Sequence, residues 1–175
     1  MATVLETFEN TPFTGSAAIE WLENDGGVTW SRSTLHVTQG SFTWECVIPG
    51  TLNTQFIIGT GTGSSGLDFS AYTGISLDIY VSSIDAGEHV ELTVTDTGFT
   101  NTIIASSVNG ATGATTLTCD FSTNPMVDKT QVILTIAMPG VAAATYYIDN
   151  LQGLGGGGGT PIAVFAHHLR TQGIS

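Results

Sequence analysis

The sequence predicts an all-β fold: a two-sheet antiparallel β-sandwich of jelly-roll topology, with a short C-terminal tail after a Gly-rich hinge. Segments in which apolar and polar residues alternate recur from the N-terminus to residue 154. Thr and Val crowd these segments, and their branched side chains suit a pleated strand. No apolar run at helical spacing interrupts them before the tail. About ten strands without intervening helices pack as two antiparallel sheets, for which a jelly roll is the expected form.

Eleven segments are predicted as strands. In chain order they are TVLETF (3–8), VTWSR (28–32), TLHVTQ (34–39), SFTWECVI (41–48), NTQFIIGT (53–60), ISLDIYVS (75–82), HVELTVTD (89–96), TNTIIASS (100–107), TTLTCDFS (115–122), QVILTIAM (131–138) and TYYIDNLQ (145–152). In ISLDIYVS, Asp78 and Tyr80 share one face, and the other face is wholly apolar. We expect the apolar face in the core and the polar face in solvent.

Two cysteines occur at positions that fit no zinc or redox spacing. Cys46 shares a strand face with Trp44, and Cys119 shares one with Leu117, so both thiols are expected in the core. Two free buried thiols and a disulfide are both compatible with this placement.

Charged residues make up only 10% of the 175 residues, and 3 Lys and Arg against 15 Asp and Glu give a net charge of -12. Such a surface repels nucleic acid and anionic lipid. No apolar run approaches the roughly 20 residues of a membrane-spanning helix, and no signal peptide is visible because the N-terminus turns acidic by Glu6. A surface rich in Thr, Ser, Asn and Gly suggests a virion, extracellular or cell-surface protein.

Three segments are predicted along the chain: a sandwich domain over 1–154, a glycine linker over 155–159, and a tail over 160–175. The tail is too short to fold alone, yet it carries four large apolar residues, Ile162, Val164, Phe165 and Leu169. We expect it to dock on a neighbouring subunit, in a homo-oligomer or on a capsid or filament protein. Packing back on its own domain is the alternative.

The order of several segments resembles the jelly-roll, galactose-binding-like carbohydrate-binding modules attached to polysaccharide-degrading enzymes. The resemblance lies in VLETFEN (4–10), Trp21, LDFSAYTGISLDIYVSS (67–83), VELTVTDTG (90–98) and YYIDNLQ (146–152). Those modules have an acidic-Phe-Glu pattern at the end of the first strand and close with a strand similar to YYIDN. The resemblance covers roughly residues 4 to 152 and implies the sandwich fold.

The same resemblance implies a structural calcium ion between the first and last strands. Carried over to this sequence, its ligands are Glu9 and Asp149, with Glu6 as a third carboxylate. Calcium takes six to eight oxygen ligands, which carboxylates and nearby carbonyls can supply. Alternatively, Asp149 and Asn150 hydrogen-bond to the backbone of a loop.

Sugar-binding members of that family present exposed aromatic rings on a sheet face, where the rings stack on pyranoses beside polar side chains. Tyr80 lies out of phase with its apolar neighbours and shares a face with Asp78, so these two residues are the predicted ligand-binding platform. Trp30, Tyr72 and Tyr147 could join them. For each aromatic residue, a place in the core or on ordinary surface is the alternative.

No catalytic motif is recognisable, and we expect no enzyme. His36 and His89 are isolated in sequence and are expected on the solvated surface. The first functional hypothesis is a non-catalytic structural and adhesion subunit of a surface assembly, such as a virion decoration, cement or fibre protein, suggested by the start at Met1 and the apolar tail. The alternative is a glycan-binding module of a polysaccharide-active system, suggested by the order of the motifs.

Overall fold

The computed structural model describes residues 2–13, 19–23, 27–50, 55–61, 66–96, 101–123, 129–139 and 143–155. No helix occurs in these ranges, and therefore none that could cross a membrane. The strands are β1 (Thr3–Glu6), β2 (Glu20–Glu23), β3 (Thr29–Ser33), β4 (Thr43–Pro49), β5 (Gln55–Thr60), β6 (Gly74–Ile84), β7 (Glu91–Asp96), β8 (Thr102–Ser106), β9 (Gly113–Asp120), β10 (Val132–Met138) and β11 (Ala143–Leu154).

The strands form two sheets that pack face to face as a sandwich. The six-stranded sheet has the order β3-β4-β11-β6-β9, and β1 pairs with the C-terminal part of β11. The five-stranded sheet has the order β2-β5-β10-β7-β8. All of these pairings are antiparallel. The predicted all-β jelly-roll sandwich is confirmed.

The core lies between the sheets and is made by alternate residues of each strand. In β6 the apolar residues Ile75, Leu77, Ile79 and Val81 are buried, whereas Asp78 and Tyr80 on the opposite face are only partly buried. This is the predicted division of the strand, and it follows from the two-residue period of an extended chain.

Aromatic rings fill the core beneath β4. The ring of Trp44 lies between 5.2 and 6.3 Å, centroid to centroid, from the rings of Phe8, Trp21 and Trp30 in edge-on arrangements. Edge-on contacts of this kind add to the stabilisation from burial alone. Trp44 is buried as predicted, and its Nε1 donates a hydrogen bond to the carbonyl of Asn10 at 2.8 Å.

Both cysteines are buried and neither forms a disulfide, which decides between the two alternatives left open by the sequence. Cys46 pairs with Tyr146 across β4 and β11, and Cys119 pairs with Ile75 across β9 and β6. Each thiol therefore fills a small apolar position in the core.

One sequence prediction about the strands is wrong, and one strand was missed. Residues 34–39 form a series of bends instead of a strand, because the backbone N–H groups of Thr38 and Gln39 donate to the side chain of Asp149 rather than to a neighbouring strand. In addition, β2 was not predicted. Trp21 is buried, but the next residue, Leu22, is apolar although it is 50% exposed. The segment therefore does not show the alternation of apolar and polar residues that marks a strand.

Candidate ligand-binding site

The candidate site lies on the outer face of the six-stranded sheet, across β4, β11 and β6. The strand register places Tyr147 directly between Glu45 and Tyr80, and it places Asp149 directly opposite Asp78. Side chains directly opposite each other in antiparallel strands are close enough to contact one another. Two tyrosines and three carboxylates from three strands are therefore gathered on one surface.

A β-bulge in β11 sets the direction of the acidic side chains. The pairing of β11 with β6 shifts between Asp149 and Gln152, and Asn150 within the shift has a φ of 52°. Asn is one of the few residues that adopt this left-handed conformation readily. Because of the extra residue, Asp149 stays on the outer face while Leu151 returns to the core. The bulge explains why an Asp-Asn pair interrupts this apolar strand.

The carboxylate of Asp149 holds the loop of residues 34–39 against the sheet. Its Oδ2 atom accepts hydrogen bonds from the backbone N–H groups of Thr38 and Gln39 at 2.7 and 2.8 Å. Its Oδ1 atom accepts one from the N–H of Asn150 at 2.8 Å. Asp149 is only 1% exposed although it carries a carboxylate. These bonds to backbone N–H groups match the alternative in which the Asp-Asn pair hydrogen-bonds a loop.

The loop places the imidazole of His36 flat on the ring of Tyr80. The two ring centroids are 3.4 Å apart and the planes differ by 8°. The ring of Tyr147 lies 4.7 Å from the imidazole at an angle of 62°. His36 itself has a φ of 55°, a conformation that a residue in a regular strand does not adopt. The three rings thus form one cluster on the outer face of the sheet, in which His36 and Tyr80 are stacked and Tyr147 contacts the imidazole edge-on.

Asp78 lies at the centre of a polar network beside the rings. Its Oδ1 accepts a hydrogen bond from the hydroxyl of Thr116 at 2.8 Å, and its Oδ2 accepts one from the side-chain amide of Asn150 at 2.8 Å. The hydroxyl of Thr38 lies 3.0 Å from Asp78 Oδ2 and 3.1 Å from Asp149 Oδ2, so it can donate to either carboxylate. Hydroxyls and carboxylates of this kind are the usual partners of sugar hydroxyls.

Tyr147 and Glu45 form the other side of the network. The phenol of Tyr147 donates to Glu45 Oε1 at 2.6 Å, and the hydroxyl of Ser31 donates to Glu45 Oε2 at 3.1 Å. Burial, together with this hydrogen bond, raises the pKa of Tyr147 to about 12. The phenol therefore remains a hydrogen-bond donor at neutral pH.

The burial of Asp149 also shifts its acidity. Desolvation raises the pKa of this carboxyl above its ordinary value, and the hydrogen bonds from Gln39, Thr38 and Asn150 oppose that shift. The backbone donors are therefore what makes a carboxylate tolerable at a site from which water is largely excluded.

An open pocket of about 230 Å³ lies where the loop meets the sheet. It is lined by His36, Val37, Thr38, Asp78, Ile79, Tyr80, Ala114, Tyr147 and Asp149. The lining combines aromatic rings with a few polar side chains, which is the usual composition of a small-molecule site.

The two predicted platform residues share this face, and the other aromatic candidates are distributed differently. Asp78 and Tyr80 are both partly exposed and line the pocket. Tyr147 also lies on this face, although only 5% of it is exposed. Tyr72 is buried in the core, and Trp30 is packed against the core from the inner face. A role for Asp78 and Tyr80 in ligand binding stays a prediction.

The predicted calcium ligands do not come together around one point. Glu6 Oε1 accepts hydrogen bonds from the N–H groups of Thr7 and Phe8, and Glu9 Oε1 accepts them from Ser41 and Phe42. Within the described ranges, no group of three or more His, Cys, Asp or Glu side chains is arranged to hold a metal ion.

The hydrogen bonds of these carboxylates also fit calcium poorly, because Glu6 Oε1, Glu9 Oε1 and Asp149 Oδ2 accept from backbone N–H groups, whereas a calcium ion needs further oxygens around it. The prediction that Glu6, Glu9 and Asp149 bind calcium therefore gains no support from this arrangement. It stays a prediction that a chelator experiment can test.

Sequence reasoning missed the contribution of the loop to the site. His36 is on the surface as expected, but it is not isolated, since it covers Tyr80 and contacts Tyr147. The sequence contained one indication of this contribution. Asp149 is a carboxylate within an apolar strand, and it needed hydrogen-bond donors from another segment. The predicted tail residues Ile162, Val164, Phe165 and Leu169 lie outside the described residues.

Solved structures of carbohydrate-binding modules share this fold. The family 11 module of Clostridium thermocellum, in complex with a β-1,3-1,4-mixed-linked tetrasaccharide, matches with a TM-score of 0.61 and 15% identity over 89% of this chain and 96% of that chain. The family 30 module of a cellulosomal cellulase of Clostridium thermocellum matches with a TM-score of 0.58 and 13% identity over 87% and 96%. A family 29 module matches with a TM-score of 0.54 and 11% identity over 89% and 93%.

No protein-family model matches the chain, and no curated protein matches its sequence. The structural matches show that the chain has the jelly-roll sandwich fold of carbohydrate-binding modules. The resemblance that the sequence motifs indicated is thereby confirmed for the fold. The hypothesis of a virion or structural subunit gains no support from these comparisons.

Proposed function

We propose that this chain is a non-catalytic glycan-binding module that acts outside the cell. The observation that carries the proposal is the cluster of the His36, Tyr80 and Tyr147 rings at an open pocket, on a fold that carbohydrate-binding modules share. Flat rings bind the apolar faces of pyranoses, and the hydroxyl and carboxylate groups beside them bind sugar hydroxyls. This is the second of the two hypotheses that the sequence raised.

The charge of the site favours neutral glycans over acidic ones. Glu45, Asp78 and Asp149 lie on the same face, and the whole chain carries a net charge of -12. A polyuronate or a sulfated glycan would be repelled by this field, particularly at low salt. The ligand class that we propose is therefore an uncharged polysaccharide or oligosaccharide.

Affinity electrophoresis in gels that contain a neutral polysaccharide tests the proposal. The β-1,3-1,4-mixed-linked glucan is the first probe, because a module with this fold was solved with a fragment of that linkage. Hydroxyethylcellulose and agarose extend the neutral set, and alginate represents acidic polymers. We expect retardation by at least one neutral gel and none by alginate.

Two variants localise the binding surface. Tyr80→Ala removes the ring on which His36 is stacked and should abolish the retardation. Ile104→Ala changes a 56% exposed residue on the opposite, five-stranded sheet and should leave the retardation intact. Absence of retardation by every neutral gel would reject the proposed function. Loss of binding in Ile104→Ala alone would move the site to the other face.

A further inference from the structure

We infer that His36 is the ring that a bound sugar contacts, and that Tyr80 acts as the support beneath it. This inference rests on the proposed function. The centroid distance of 3.4 Å and the angle of 8° leave no room for a pyranose between the two rings. One face of Tyr80 is therefore already covered. His36 is exposed, so its outer face is the one that the stack presents to solvent.

The loop is tied to the sheet on both sides of His36. On the C-terminal side, the N–H groups of Thr38 and Gln39 donate to Asp149. On the N-terminal side, the carbonyl of Leu35 accepts a hydrogen bond from the hydroxyl of Thr43 at 3.0 Å. The N–H of Leu35 in turn donates to the hydroxyl of Ser33 at 3.2 Å.

These bonds distinguish two roles for His36: a platform, on which the sugar binds while the imidazole stays on Tyr80, and a plug, which moves away so that the sugar binds Tyr80. A plug would have to break hydrogen bonds to a buried carboxylate, and such bonds stabilise more than those between neutral groups. A platform requires the ring to stay in place. The attachment of residues 35, 38 and 39 favours the platform.

The chemistry of the stack suits an uncharged pyranose. The imidazole offers a flat face for the apolar C–H groups of the sugar and ring nitrogens at its edge for sugar hydroxyls. Thr38 and Asp78 lie beside it in the same pocket and add a hydroxyl and a carboxylate. A sugar on His36 can therefore be held by its face and by its edge together.

The experiment measures the affinity of four proteins for the β-1,3-1,4-mixed-linked glucan: the wild type, His36→Ala, His36→Phe and His89→Ala. We expect His36→Ala to weaken binding roughly tenfold, the size of one good aromatic contact. His36→Phe restores a flat ring and should recover most of the loss. His89→Ala changes a histidine paired with Glu91 on the other sheet and should bind like the wild type. Circular dichroism checks that each variant keeps its strand content.

The outcomes separate this inference from the proposed function. If the wild type binds and His36→Ala binds equally well, His36 is not a contact and the inference is wrong. If His36→Ala binds more tightly, His36 is a plug over Tyr80 and the inference is also wrong. If the wild type binds none of the neutral glycans, the proposed function fails and the inference fails with it.

Discussion

The carboxylate of Asp149 accepts a hydrogen bond from the backbone N–H of Thr38 at 2.7 Å and lies 3.1 Å from the hydroxyl of the same residue. This hydrogen bond connects the last strand, β11, to a loop that lies 111 residues earlier in the chain. It gives the loop a fixed place above β6 and β11. The ring of His36 consequently lies on Tyr80 instead of moving freely in solvent.

Removing this carboxylate should destabilise the fold. In Asp149→Ala the N–H groups of Thr38 and Gln39 lose an acceptor that is itself 1% exposed, and a hydrogen bond to a charged group contributes about 1.5–3 kcal/mol. The cost of burying the charge offsets part of this loss. We expect a decrease of about 2 kcal/mol in the free energy of unfolding, measured by urea denaturation.

The matched control for that substitution is Asp120→Ala. Asp120 is exposed, and its carboxylate accepts hydrogen bonds from the N–H and from the side chain of Ser122 in a local turn. We expect its effect to stay within about 0.5 kcal/mol. Equal effects of the two substitutions would show that Asp149 does not hold the loop in place.

The phenol of Tyr147 should ionise at a higher pH than an ordinary tyrosine, and the free energy of unfolding should decrease at alkaline pH. Its pKa is raised from 10.0 to about 12, so the folded protein holds the phenolic proton more tightly than the unfolded chain does. The resulting stabilisation is fully present below pH 10 and is lost as the pH rises towards 12. The difference in tyrosinate absorbance between the wild type and Tyr147→Phe should titrate near the upper value. A midpoint at 10.0 would contradict the burial of this phenol.

The two thiols should be inert in the folded protein. Cys46 and Cys119 are buried and form no disulfide, and burial raises the pKa of Cys119 to about 12. Because the thiolate is the reactive form, a disulfide reagent at about pH 8 should modify neither residue in the native state. After denaturation, both of the 2 cysteines should react without prior reduction. A need for reductant would show a disulfide instead.

The calcium prediction can be tested by the melting temperature in excess chelator. Glu6 Oε1, Glu9 Oε1 and Asp149 Oδ2 accept hydrogen bonds from backbone N–H groups, which occupy these oxygens in the folded protein, so we expect chelator to leave the melting temperature unchanged. An ion bound only to the folded state stabilises by mass action. A drop of several degrees that is reversed by added calcium would therefore support a calcium site, with ligands other than those seen in this arrangement.

Local patterns in the sequence predicted which face of a strand a residue occupies, as Asp78 and Tyr80 illustrate. The period of a strand is two, so the position of the apolar residues determines the face of their neighbours. The same rule misassigned residues 34–39, because TLHVTQ alternates like a strand. Hydrogen bonds from a distant residue, Asp149, override that local preference.

The assembly of the site could not be read from local patterns. The pairing of Tyr147 with both Glu45 and Tyr80 depends on which strands are neighbours, and strand order leaves no trace within a single segment. The stack of His36 on Tyr80 depends in addition on a non-extended φ and on the bulge at Asn150. Each of these features arises from contacts between segments that are far apart in the chain.

The most direct test of the proposed glycan-binding face is a titration followed by backbone amide NMR with the β-1,3-1,4-mixed-linked glucan tetrasaccharide as the ligand. We predict that the largest shifts occur at His36, Thr38 and Tyr80 on the six-stranded sheet and its loop. Shifts confined to the opposite sheet, at Thr93 and Ile104 for example, would contradict glycan binding at this face.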